Sequence, residues 1–312
     1  MTTPLTTAAP ATNASMEMLV TRLHALPLTS PVVGLLTELL TDPNITVDEI
    51  ARVVALDPSI AMRLIRTVNS AYFGLPEPLT DLVRAIQFLG FNAVQEIVKY
   101  ASLLRLFTMR VPNQAAVNAR IEGLWQHAVA TGAAARILAR RLHVSDDLPY
   151  MTVGLLHDVG KVALLLLQPQ RYEEALYLAR SERIPLVVAE RRILPFDHTQ
   201  FGRVICEGFG QPEAIAFAVG RHHSVRSGAR YEACSELAAV AHVADILARA
   251  LGAGWWGDQV MPRLDLAARA TLNLEADDAR QLLDALEEEY PRISATMRAI
   301  FPIHMVSLHA PK

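Results

Sequence analysis

Apolar positions recur at intervals of three and four from Met16 to about Met109, as in Val32, Leu35, Leu36, Leu39 and Leu40. That period predicts short amphipathic helices packed on one another. The expected helix ends carry suitable side chains. Thr46 and Glu49 have the spacing of a capping box, and Asp57 precedes a proline whose missing donor costs nothing in a first turn. Asp42-Pro43-Asn44 reads as a turn between helices, and Phe88-Leu89-Gly90-Phe91 as a helix end followed by another turn.

Beyond a junction at residues 109–118, the alanine-rich stretch 125–142 predicts a long helix, apolar on one side and arginine-bearing on the other. Residues 149–167, 214–219 and 238–250 continue the helical period. Trp255-Trp256-Gly257 then interrupts it, and the tryptophans read as packing residues. An amphipathic helix is expected over 275–290, ended by Pro291, with a further short segment over 293–300. The fold class is therefore all-α. The chain divides into a flexible tail (1–15), an N-terminal multihelical bundle (16–110), a second helical unit (111–250) and a C-terminal helical extension (251–312).

With 312 residues, 52% of them hydrophobic, the chain can bury a substantial core. Its net charge of −3 creates no global positive field, and no phosphate-cradling glycine loop or zinc-finger spacing is present, so no specific nucleic acid is expected. Arg63 and Arg66 share a helical face that reads as solvated. Asn69, Ser70, Tyr72 and Phe73 read as capping and interdomain packing in preference to a recognition surface. Cys206 and Cys234 are too few for a disulfide scaffold, which favours a reducing cytoplasmic setting. No signal peptide or membrane-spanning segment is expected, because the apolar run 164–167 is far short of the roughly 20 residues a crossing needs.

The candidate chemistry lies in the second unit. His127, His157, Asp158, His198, His222, His223 and Asp245 form an ordered set of histidines and aspartates among apolar helices. His157 and Asp158 are polar exceptions within Val153, Leu155, Leu156, Val159, Val162 and Ala163. Buried polar groups need partners, and metal coordination would satisfy both. Imidazole and carboxylate together suit one or two divalent transition-metal ions such as iron, manganese or zinc. Asp158 is the best candidate to bridge two ions. His222 and His223, adjacent in sequence, can serve one centre only if their helix terminates there or if two ions divide the ligands. Asp197 reads as a helix cap more than as an orienting group for a histidine, and His242 as an outer support or a surface residue.

The order His127, His157-Asp158, Asp245 resembles the ligand pattern of the HD superfamily, and His198 and His222-His223 resemble the additional histidines of its binuclear members. The capped N-terminal helices, from Asp57-Pro58 through Asn69-Ser70 to Leu89-Gly90, are similar to those of the HDOD family, over roughly residues 20–250. The resemblance implies an N-terminal bundle joined to an HD-like helical domain, and a metal-binding bacterial protein of signalling or regulation. A divalent-metal phosphohydrolase or phosphodiesterase is the rival reading; it implies that water activated by a metal attacks phosphorus, with Asp158 and Lys161 as the candidate catalytic residues and the phosphate steadied by Lys161, or by Arg203 and Arg221 as alternatives. The expected partner is a signalling protein or a small phosphorylated ligand. After His223 there is no Gly-Tyr-Pro motif, and Gly123 stands where trinuclear relatives carry a glutamate, which argues against cyclic-dinucleotide hydrolysis and a third metal.

Overall fold

Local signals at the helix ends are realised as hydrogen bonds. The structure, a computed structural model, describes residues 10–26, 31–40, 42, 44–69, 74–143, 148–225, 232–275, 277–301 and 306–307. The N-terminal part comprises α1 (Pro10–His24), α2 (Pro31–Leu39), α3 (Val47–Val54), α4 (Pro58–Val68), α5 (Leu82–Leu89) and α6 (Phe91–Leu104). Helix α1 starts inside the stretch read as a tail, with proline in the first turn, where it is tolerated. Thr46 and Glu49 close the capping box on α3: the Glu49 amide donates to Thr46 Oγ1 at 3.3 Å, and the Thr46 amide to Glu49 Oε2 at 2.9 Å. Asp57 caps α4 through the Ser59 amide at 2.8 Å.

At the end of α4, Asn69 clamps a loop, its side chain donating to the Leu79 carbonyl (2.6 Å) and accepting from the Leu79 amide (2.7 Å). That matches a capping and packing role, while Ser70, Tyr72 and Phe73 lie outside the described residues. Arg63 and Arg66 are not merely solvated. Arg66 donates to the Ala299 carbonyl at 2.9 Å, and the Arg63 guanidinium lies 4.8 Å over the Phe301 ring, so this helical face holds the C-terminal segment.

The second part is built around α7 (Ala115–Arg141), a 27-residue helix buried along most of its length. It is followed by α8 (Leu148–Leu156), α9 (Val159–Leu167), α10 (Pro169–Glu182), α11 (Leu186–Ile193), α12 (His198–Gly208), α13 (Glu213–Val219), α14 (Glu232–Ala250), α15 (Leu266–Thr271) and α16 (Asp278–Ile300). Helices α8, α14 and α16 pack on α7, and α12 packs on α9 and α13. One hydrophobic cluster runs from Met16 to Phe301. The strands among the described residues are a parallel pair, Met109–Arg110 with Val306–Ser307. The protein is all-α in class.

Two segments depart from the expected helices. Pro291 does not end a helix, because α16 continues through it to Ile300. A proline inside a helix removes one hydrogen bond, but Leu282, Leu286, Ile293, Met297 and Ile300 are all buried and hold both halves to the core. The stretch Pro149–Leu167 is apolar and long enough to cross a membrane by composition, yet it is 83% buried inside the protein and turns at His157-Asp158 between α8 and α9.

Candidate metal centre

That turn sets the site. His157 and Asp158 form the turn between α8 and α9, and Asp158 makes no capping bond to α9 with its side chain. Its Oδ2 instead meets Lys161 of α9 at 2.7 Å, and its Oδ1 lies 3.5 Å from His198 Nε2 and 3.7 Å from His222 Nε2. His127 comes from α7 and Asp245 from α14. His198 is the first residue of α12, where Asp197 forms a capping box with Gln200, so the capping reading of Asp197 holds. His222 and His223 lie in the turn after α13 ends at Val219, which frees them from helical divergence. A glycine makes the approach of α12 to α9 possible: a Cβ on Gly160 would stand 2.1 Å from the His198 carbonyl oxygen.

All seven predicted residues converge, and the distances sort them into two groups around Asp158. In the first, His127 Nε2 lies 3.0 Å from Asp245 Oδ1 and 3.8 Å from Asp158 Oδ2, and His157 Nε2 lies 3.2 Å from Asp158 Oδ2 and 3.9 Å from Asp245 Oδ1. In the second, Asp158 Oδ1 lies 3.5 Å from His198 Nε2 and 3.7 Å from His222 Nε2, and His223 Nε2 is 3.2 Å from His198 Nε2. Metal–donor bonds of about 2.1 Å place neighbouring donors roughly 3 to 3.5 Å apart, so each group has the dimensions of one coordination sphere. Asp158 presents one oxygen to each.

The rings are oriented for this. His157 and His222 direct Nδ1 to the carbonyls of Gly154 and Val219, each at 2.8 Å, and His198 directs Nδ1 to Glu190 Oε2 at 2.6 Å. With those protons donated, Nε2 carries a lone pair pointing inward. His157 Nε2, His222 Nε2, Asp158 Oδ1 and Asp245 Oδ2 are buried and have no hydrogen-bond partner. Orphaned buried acceptors are costly unless something electropositive lies between them, so the donor set fits a cation. His127 differs: its Nδ1 has no partner and its Nε2 faces Asp245.

Electrostatics favours the required protonation states. Burial, joined by neighbouring imidazoles, pushes His222 and His223 well below the usual histidine range, and burial outweighs Asp245 to lower His127. Burial alone would raise Asp158 and Asp245. His157 and Lys161 overcome it for Asp158, and Arg249 and His127 for Asp245, so both carboxyls sit well below the usual range. His157 is the exception: burial lowers it, but the Asp158 charge carries it up.

Residues not foreseen complete the surroundings. Glu190 is fully buried and also accepts from the His198 backbone amide at 2.8 Å, while its other oxygen is unpartnered. Nothing in its sequence spacing marks it. Arg249 donates to Asp245 Oδ1 at 2.9 Å, and an Asp-Arg pair four apart on one helix was a readable signal. Lys161, also fully buried, pairs with Asp158 Oδ2 at 2.7 Å and donates to the Trp256 carbonyl at 3.0 Å. His242 is buried, donating from Nδ1 to the His222 carbonyl (2.8 Å) and accepting at Nε2 from the Asp265 amide (3.0 Å), which gives it the supporting role. Trp255 explains Gly123: their backbones hydrogen-bond at 3.0 Å, and a Cβ on Gly123 would lie 2.6 Å from Trp255 Cβ. A side chain at 123 has no room.

A cavity of about 190 Å³ adjoins the second group, and the polar residues in its lining include His198, His223, Lys161, His242, Arg249 and Asp258. Lys161 is among the residues that line it. Arg203 and Arg221 do not line it, and Arg203 is held by Glu207 at 2.8 Å across one turn of α12. The arginines at the cavity are Arg249 and Arg263.

The HDOD domain family matches residues 26–225, and the chain belongs to that family. A protein of Treponema pallidum is 22% identical over 188 residues, which are 59% of this chain, and the chain spans only 35% of that relative's length. The solved structure of an HDOD domain protein from Geobacter sulfurreducens has a TM-score of 0.68 at 21% identity, covering 93% of this chain and 99% of that one. A candidate phosphohydrolase from Shewanella amazonensis gives 0.64 at 16% identity, covering 90% and 97%. At these identities the structural likeness is one of fold.

Proposed function

We propose that this protein holds two divalent transition-metal ions, bridged by Asp158, and uses them as a phosphohydrolase on a small phosphorylated ligand. One ion would be held by His127, His157, Asp158 and Asp245, and the other by Asp158, His198, His222 and His223. The observation that carries the reading is the convergence of partnerless Nε2 and carboxylate acceptors on both sides of Asp158. Bound ions would supply Lewis acidity and water activated for attack on phosphorus. Within the protein, Glu190 fixes the His198 ring, and Lys161 stands between Asp158 and the cavity, where its ammonium can meet a phosphate oxygen. The relative from Shewanella, described as a candidate phosphohydrolase, is consistent with this choice.

A regulatory reading, in which the same centre senses a phosphorylated ligand without turnover, draws on a different observation. His127, His157, Asp158, His198 and His222 are all at most 1% exposed, and the cavity described above reaches the group at His198 and His223. We place the protein in a reducing cytoplasm, in keeping with the buried thiol of Cys206, whose pKa burial pushes up. The test is metal analysis of protein purified with and without oxygen, followed by a phosphoester screen on reloaded protein. Turnover lost in Asp158→Ala and kept in Thr46→Ala supports hydrolysis. Two bound ions with no turnover support sensing, and protein that retains no ion at saturating metal removes both.

A further inference from the structure

The loop that follows α14 is tied to the helices around the first group of ligands. Gly254, at φ +78°, lies so close to α7 that a Cβ there would stand 2.3 Å from the Gly123 carbonyl oxygen and 2.4 Å from the His127 amide nitrogen. Gly257, at φ +108°, approaches α11 in the same way, with 2.4 Å left between a Cβ and Leu186 Cδ2. Both the conformations and the approaches favour glycine. Between them Trp255 donates its amide to the Gly123 carbonyl at 3.0 Å, and just beyond them Asp258 accepts from the Leu186 amide at 2.8 Å.

Trp256 stands in the middle of this span. Its ring lies 5.9 Å from the His127 ring, and the Arg249 guanidinium lies 5.8 Å from it. His127 is fully buried whereas Trp256 is only partly so, which puts the indole at the protein surface with His127 beneath it. The loop also holds both cations that meet the ligand carboxylates. Lys161, paired with Asp158, donates to the Trp256 carbonyl at 3.0 Å, and Arg249, paired with Asp245, donates to Asp258 Oδ1 at 3.2 Å and the Val260 carbonyl at 3.3 Å. The cavity, by contrast, is lined by His198 and His223 and by none of His127, His157 and Asp245.

An ion leaves a protein site as water replaces its donors one by one, and an apolar layer over the donors slows that entry. We propose that Trp256 is a positioning residue that covers the His127 side of the centre, so that an ion held by His127, His157, Asp158 and Asp245 exchanges slowly while one held on the His198–His223 side exchanges through the cavity. The inference rests on the two-ion reading above.

The experiment follows release of zinc from the fully loaded chain into excess chromogenic chelator, with zinc content measured on the same sample. The wild-type protein is expected to lose one ion in each of two phases, with rates on the order of tenfold or more apart. Trp256→Ala is expected to speed the slow phase on the order of tenfold and to leave the fast phase unchanged, and Trp256→Phe to restore most of the slow rate. Two ions that leave the wild-type protein together overturn the inference, as does a slow phase that Trp256→Ala does not alter or a change shared equally by both phases. If Trp256→Ala does not fold, Trp256→Leu is read in its place by the same criteria. A chain that retains fewer than two ions at saturating zinc overturns the two-ion reading along with the inference, whereas two ions released without regard to Trp256 overturn the inference only.

Discussion

The N-terminal helices and the histidine-rich half solve the same problem, satisfying polar groups, over different distances. In the first, Thr46 meets Glu49 and Asp57 meets Ser59, bonds that close within two or three residues. In the second, His127 meets Asp245 across 118 positions and Lys161 meets Trp256 across 95. Local capping stabilises one helix at a time. The long-range set exists only when α7, α9, α12 and α14 are all in place, so damage there should reach further than damage to any cap.

The largest difference is expected at Asp158. Asp158→Ala should eliminate both ions and leave Lys161 as a buried ammonium without its carboxylate, a loss of about 3–5 kcal/mol in urea unfolding. The double variant Asp158→Ala/Lys161→Met should recover much of that stability without recovering metal. Next comes Gly160→Ala: the new methyl meets the His198 carbonyl, and a cost of about 1–3 kcal/mol should accompany loss of the ion on the His198 side. Glu190→Gln keeps the volume and removes the charge that fixes His198, so affinity at that side should fall by roughly 10- to 100-fold, read by metal titration. The smallest change is expected from Thr46→Ala, about 1 kcal/mol in unfolding free energy at unaltered metal content. A Thr46 variant that lost metal, or an Asp158 variant that lost none, would erase the contrast between the two regions.

The same distinction decides what the sequence discloses. Caps and helical periods are readable because the residues that cause them are neighbours. His157-Asp158 is conspicuous because polar residues interrupt an apolar run, and His222-His223 because adjacent imidazoles fit one centre only past a helix end or with two ions dividing them; the pair lies past the end of α13. Glu190 and Asp258 leave no such trace. Glu190 is followed by Arg191-Arg192 and Asp258 by Gln259, as at an ordinary solvated position, and only tertiary placement turns each inward to His198 or Arg249. Arg203 illustrates the reverse, a basic residue near the ligands in sequence that is held by Glu207 in the structure. Pro291 misled for a related reason: its local preference ends helices, and burial of Leu286 and Ile293 on either side of it overrides that preference.

Anomalous diffraction from crystals soaked in zinc or manganese tests the two-ion centre most directly. The expected result is two peaks flanking the Asp158 carboxylate, one within about 2.2 Å of His127 and His157 Nε2 and the other equally near His198 and His222 Nε2. A single peak, or ions bound away from Asp158, would contradict it.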